Sequence, residues 1–140
     1  MNEHALKDRI ISLLDSHKVG TLATVRNNRP NSRYMTFFND GLMLYTPTNK
    51  ETHKAEDIRE NPYVHILLGY EGEGYEDPYL EIEGKVEIKD DNEMKEKVWS
   101  DRMSKWFDGP RDPEFVLLQV TPSAIRLMND GEETPDTLEL

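Results

Sequence analysis

The strongest constraint on the fold is a succession of short β-rich runs cut by turn sequences. Runs at 19–25, 31–38 and 42–46 are separated by RNNRP (26–30) and by NDG (39–41), both sequences that favour tight reversal of the chain. These three runs predict an antiparallel meander. Leu6, Ile10, Leu13 and Leu14 instead recur at helical spacing behind Asn2, a residue suited to capping, so 3–17 reads as an amphipathic helix. Thr48 or Asn49 opens a second helix over about 51–60, stopped by Asn61-Pro62, and a strong strand follows at 63–70. An acidic, glycine-containing loop (71–78) leads into a long strand at 79–89, where Gly84 marks a bulge or a close approach. Asp90-Asp91-Asn92-Glu93 contains a capping box and starts a third helix that runs to Met103 or Trp106. Residues 107–113 read as loop, and two last strands, 115–121 and 124–128, bend at Thr121-Pro122-Ser123. Six or seven strands with three helices, and no strict alternation of strand and helix, predict a mainly β fold: a closed or nearly closed antiparallel barrel with peripheral helices.

A chain of 140 residues makes one domain, expected to span 1–128. Residues 129–140 are polar and acidic with almost nothing to bury, and are expected to be a disordered tail. The longest uncharged apolar stretch, 63–70, is far shorter than the roughly 20 residues of a membrane span. The first residues resemble neither a secretory signal nor a transit peptide, so a soluble, cytoplasmic protein is expected. With no cysteine, thiol chemistry, disulfides and cysteine zinc sites are excluded, and redox chemistry has to come from a cofactor. His4, His17, His53 and His65 show no ligand spacing, so no metal site is expected.

Charge is uneven along the chain. Residues 1–60 carry nine Lys and Arg against eight Asp and Glu, net +1, whereas 61–140 carry eight against twenty, net −12. Nucleic acid is therefore an unsuitable partner, but the first half can still hold a small anion. Neither a phosphate loop nor a nucleophile elbow is present, and the glycines at 69, 72 and 74 stand among Glu71, Glu73 and Glu76, which repel phosphate. That segment reads as a mobile loop. The informative stretch is 31–62. Arg33 lies on one strand, Tyr45 and Thr46 end the next, and Thr52, His53 and Lys54 occupy the first turn of the following helix. Cationic side chains beside free N–H groups at a helix N-terminus suit a dianionic phosphate. On spacing alone, ordinary surface charges and a plain helix cap have the stronger claim.

The order of these motifs adds to that reading: a helix, R-x-M on the second strand, D-G-x-x-x-Y-T on the third, [ST]-x-K opening a helix that ends in N-P, and a long strand containing E-G. In this order and spacing the chain resembles the pyridoxamine-phosphate-oxidase-like FMN-binding split barrels. Within them it is most similar to the general stress protein 26 group, sharing the segment FVLLQVTP (115–122). The resemblance covers the chain to about Met128. It implies a flavin protein in which Arg33, Tyr34, Met35 and Thr36 run along the flavin and its ribityl chain, with Arg33 near the phosphate. Tyr45 and Thr46 add contacts, and Thr52, His53 and Lys54 hold the phosphate. The family usually has Arg where this chain has His53, which implies phosphate binding that weakens above neutral pH. Dimerisation with FMN at the subunit interface is likewise implied. In the vitamin-metabolising oxidases the partner subunit supplies a Gln at the position of Tyr79, and a C-terminal Arg-x-His clamps the substrate. Residues 124–128 (AIRLM) lack that His, so pyridoxamine phosphate oxidation is disfavoured.

The expected function is thus a flavin-dependent oxidoreductase using a small-molecule reductant or substrate, with no catalytic acid or base evident. The alternative is a protein that binds or sequesters FMN, or another planar or phosphorylated ligand, without turnover. A third reading is a stress-induced interaction module with a vestigial pocket. Related split barrels also hold haem or a deazaflavin, but Arg33 with Lys54 fits FMN better. Trp99 and Trp106 are expected to pack against the barrel or a dimer partner, and Met35 and Met43 to lie in the core. Arg33 and Phe37 alternate with Tyr34 and Phe38, so one pair faces the core and the other a groove.

Overall fold

The computed structural model describes residues 1–140, with the side chains of His53 and Lys54 outside the described residues. The chain forms helix α1 (Glu3–Ser16), strands β1 (Val19–Arg26), β2 (Arg29–Thr36), β3 (Phe38–Asp40) and β4 (Met43–Asn49), helix α2 (His53–Glu60), and strands β5 (Tyr63–Leu68) and β6 (Tyr79–Lys89). Helix α3 (Asn92–Val98), a short 3-10 helix (Asp101–Lys105), and strands β7 (Phe115–Met128) and β8 (Asp136–Glu139) follow. Among the described residues this is one eight-stranded antiparallel sheet in the order β2-β1-β5-β6-β7-β4-β3, with β8 on β7. It is the expected mainly β split barrel, with one strand more than expected.

Local chemistry explains the elements. Asn2 caps α1 by accepting the Ala5 N–H at 2.8 Å, and Leu6, Ile10, Leu13 and Leu14 are buried against the sheet. Asn27 and Asn28 both hold positive φ, 50° and 62°, the geometry of a two-residue hairpin that asparagine tolerates. The β6–β7 register shifts between Glu83 and Gly84, where a Cβ would meet the Thr121 carbonyl at 2.7 Å, so the bulge anticipated at Gly84 is present.

Several expectations need correction. β2 does not pair with β3: the chain bends at buried Phe37, whose N–H donates to the Lys18 carbonyl at 2.6 Å, so the meander is two hairpins joined at a corner. β7 is one strand, because the bulge accommodates the bend: Glu83 pairs with Ala124 and Gly84 with Pro122, leaving Ser123 as the extra residue. The third helix stops at Trp99, and the 3-10 helix takes over at Asp101. Residues 129–140 are not a disordered tail. β8 pairs with residues 124–127 of β7 and buries Leu138 to 3% exposure, while Asp130 accepts from Arg9 at 2.7 Å. The cause is the vacant edge of β7: β4 covers only residues 115–120, and β8 satisfies the backbone groups beyond.

Two apolar clusters fill the molecule. The larger joins α1 to the inner face of the barrel through Leu22, Phe37, Ile66, Ile82 and Ile125. The smaller, under α3 and the 3-10 helix, holds Tyr45, Val98, Met103, Phe107, Phe115 and Leu117. Met35 packs against the first and Met43 against the second, while Trp99 stacks at a tilt on Phe115 and Trp106 stays 70% exposed.

Candidate anion site at the split of the barrel

β2 and β4 form the split. β2 pairs only with β1, and β4 pairs with β3 only as far as Tyr45, so Thr46–Asn49 has a strand on one side alone. One bond crosses the gap near its closed end: the Thr46 hydroxyl donates to the Thr36 carbonyl at 2.7 Å. Pro47 fits this free edge because it has no N–H to offer a ladder.

Arg33 sits on the inner face of β2, opposite buried Leu22, and donates from Nη1 to the Thr24 hydroxyl at 2.9 Å. Among the described residues no carboxylate lies within ion-pair distance of it. A guanidinium carries five N–H donors in a planar fork, so most of its capacity is left for an anion. Thr46 and Thr48 alternate inward on β4, and the Thr48 hydroxyl is 3.4 Å from that of Thr52. Thr52 caps α2 by accepting the Ala55 N–H at 3.4 Å, and buried Ala55 and Ile58 seat the helix against the core. Arg26 lies 3.7 Å from buried Asp57 on the same helix. The site therefore combines a half-buried cation, threonine hydroxyls and a helix N-terminus, a donor set that suits a phosphate. Every buried side-chain nitrogen and oxygen among the described residues has a hydrogen-bond partner.

Of the residues singled out in the sequence, Arg33, Thr46 and Thr52 share the inner side of the split. Thr36 joins them through its carbonyl, and Met35 lies on the same face as Arg33. Tyr34 points the other way, 80% exposed on the outer face beside Thr21. Arg33 and Phe37 are thus the inward pair, while Phe38, beyond the corner, packs on the smaller cluster. Tyr45 also belongs to that cluster, on the face of β4 opposite Thr46. Burial, together with Asp40 and Asp91, holds its phenol above the ordinary range and so neutral. His53 and Lys54 open α2, but their side chains lie outside the described residues. Sequence reading missed Thr24 and Thr48; the i, i+2 pair Thr46 and Thr48 on one strand was the available signal for the second.

On the outer face of the sheet a separate groove of about 660 Å³ is lined by Tyr34, Tyr70, Tyr75 and Tyr79 with Val19 and Glu81 among others. Among the described residues no cluster of His, Asp and Glu could hold a metal ion, and no helix is long and apolar enough to cross a membrane. Arg126, in the C-terminal segment compared above with a substrate clamp, is engaged by Glu81 at 3.0 Å and by Thr137 at 3.3 Å.

The family model for pyridoxamine 5'-phosphate oxidase matches residues 6–129. General stress protein 26 of Bacillus subtilis (strain 168) is 56% identical over 140 residues, all of both chains. The crystal structure of general stress protein 26 from Bacillus anthracis superposes with a TM-score of 0.87 at 35% identity, covering 96% of this chain and 98% of that one. A pyridoxamine 5'-phosphate oxidase-related, FMN binding protein from Nostoc punctiforme shares the fold, with a TM-score of 0.68 at 19% identity over 98% of this chain and 93% of its own. With its split barrel, its full-length similarity and the match across residues 6–129, the chain belongs to the pyridoxamine 5'-phosphate oxidase family, alongside the general stress protein 26 proteins.

Proposed function

We propose that the protein binds FMN at the split of its barrel and works as a homodimeric, cytoplasmic flavin-dependent oxidoreductase with the cofactor between subunits. The observation that carries this is Arg33, an inward-facing cation without a carboxylate partner among the described residues, set among threonines beside the start of α2. In this reading Arg33, Thr52, His53 and Lys54 hold the phosphate. Backbone of residues 33–36 and of Tyr45 and Thr46 lies along the flavin and ribityl chain, a role that needs no side chain from Tyr34 or Tyr45. The family membership and the FMN-binding relative of the same fold support it. FMN, when bound, supplies hydride acceptance and electron transfer, and the chain supplies binding and orientation.

The substrate is not pyridoxamine phosphate. Arg126 already answers to Glu81 and Thr137, and no histidine stands near it in sequence to complete a clamp. A second reading, sequestration of FMN without turnover, is favoured by the inner side of the split, where the described side chains brought together are Arg33 and threonines, without an acid or base.

The visible spectrum of protein purified without added cofactor, followed by titration with FMN and riboflavin, tests the proposal. Flavin absorbance with FMN strongly preferred is the expected result, and a colourless protein indifferent to both overturns it. Arg33→Ala should lower FMN affinity about ten- to hundredfold, the consequence of losing a charge-assisted contact of ~1.5–3 kcal/mol. Rapid-mixing reduction of the bound flavin by NAD(P)H separates turnover from sequestration.

A further inference from the structure

We propose that Thr24 is the positioning residue of the anion site: its buried hydroxyl holds the Arg33 guanidinium ready for a phosphate without neutralising it, and so gives the site its preference for a phosphorylated ligand. The inference deepens the flavin reading and rests on it only for the identity of that ligand. The bond that carries it runs from Arg33 Nη1 to the Thr24 hydroxyl, 2.9 Å away.

The β1–β2 ladder pairs Arg33 with Leu22 and Asn31 with Thr24, so Thr24 and Arg33 are diagonal neighbours on the inner face, a spacing that a long side chain spans. The bond therefore leans the arginine along β2 toward Asn31. That is the end of β1 where Arg26, two residues beyond Thr24, lies 3.7 Å from buried Asp57 of α2. At 1% exposure the Thr24 hydroxyl is cut off from solvent, and among the described residues Arg33 is the group that satisfies it. A buried hydroxyl left unpaired is costly, so the bond commits both partners.

What holds this arginine matters as much as where it is held. Arg9, Arg26, Arg111 and Arg126 each lie between 2.7 and 3.7 Å from a carboxylate, on Asp130, Asp57, Glu96 and Glu81 respectively. Such a partner fixes a guanidinium but offsets its charge. A threonine hydroxyl fixes it through one N–H, brings no charge, and leaves the remaining donors of the planar fork for an anion. An arginine has many rotamers, and ordering it before the ligand arrives removes that cost from binding. The gain falls only on ligands that meet Arg33: a phosphate ester has it, and the same molecule without its phosphate does not.

Two titrations of the full chain, made on the parent, Thr24→Val and Thr24→Ser, test the assignment. In the first, inorganic phosphate is added to flavin-free protein carrying isotope-labelled arginine, and the Arg33 side-chain resonance, identified by its loss in Arg33→Ala, reports binding. Thr24→Val keeps the shape and removes the acceptor, and should weaken phosphate about fivefold, while Thr24→Ser keeps the hydroxyl and should retain binding. In the second, FMN is compared with riboflavin. Thr24→Val should weaken FMN by a similar factor and leave riboflavin unchanged, which a loss of packing alone does not produce. In Arg33→Ala protein, Thr24→Val should add nothing to the loss of FMN affinity, because Thr24 acts through Arg33. Should the valine variant fail to fold, Thr24→Ala removes the same hydroxyl and takes its place. Phosphate bound as tightly by Thr24→Val as by the parent, FMN and riboflavin weakened alike, or an Arg33 resonance that ignores phosphate in the parent overturns the proposal. Phosphate binding at Arg33 that depends on Thr24, in a protein that takes up neither flavin, supports the role of Thr24 and overturns the flavin reading instead, which keeps the two failures distinct.

Discussion

β7 and β2 are strands of the same sheet with opposite circumstances. β7 has β6 along one edge and β4 and β8 sharing the other, and its first four residues are all buried. β2 is paired on one edge only and is exposed at its first four positions. A strand with both edges paired, and both faces buried over residues 115–118, serves as scaffold. A strand with one free edge and two accessible faces can present a cation on one side and an aromatic ring on the other, as β2 does with Arg33 and Tyr34. Stability and chemistry are therefore divided between strands rather than between domains.

Mutations on the two strands should separate these roles. Phe115→Ala removes a fully buried ring that packs on Trp99 and Phe107 and should cost about 3–5 kcal/mol, read as a lower midpoint in urea unfolding. Arg33→Ala should cost only about 1 kcal/mol, the worth of its hydrogen bond to Thr24, while FMN affinity falls as described above. Comparable unfolding by both variants would dissolve the contrast. Leu138→Ala should cost ~2–4 kcal/mol by opening the core under β8, and deleting 136–140 should promote aggregation by baring the edge of β7. Thr52→Ala should cost about 1 kcal/mol through loss of the α2 cap.

The smallest expected effect is one of pH. Asp112 accepts the N–H groups of Asp108 and Glu114 in the loop before β7, which with nearby Lys95 holds its carboxyl below the ordinary 3.8. A depressed carboxyl stabilises the fold above its unfolded value and loses that contribution as pH falls through the folded one. Asp112→Asn should therefore be slightly less stable than the parent at neutral pH, where the contribution is fully present, and should converge with it below about pH 4, giving a flatter acid limb.

Much of this was legible in the chain because it is local. The cap at Asn2, the Asn27-Asn28 reversal and the glycine bulge each depend on a few neighbouring residues with distinctive backbone preferences. Within the site, the alternation of Arg33 with Tyr34 was legible, but which of the two faced inward was not, since that depends on β1 pairing Arg33 with Leu22. Tyr45 looked like a neighbour of Thr46 and lies in a different cluster, because α3 covers only one face of β4.

The sequence alone determined the strand-rich architecture, the lack of thiol chemistry and the concentration of carboxylates in residues 61–140. Only the tertiary structure decided that the acidic C-terminus becomes a strand, that β7 runs unbroken through its proline, and that β2 turns Arg33 inward and Tyr34 outward. Each of those outcomes depends on backbone groups and faces left open by residues distant in the chain, and a vacant sheet edge has no signature in the segment that comes to fill it.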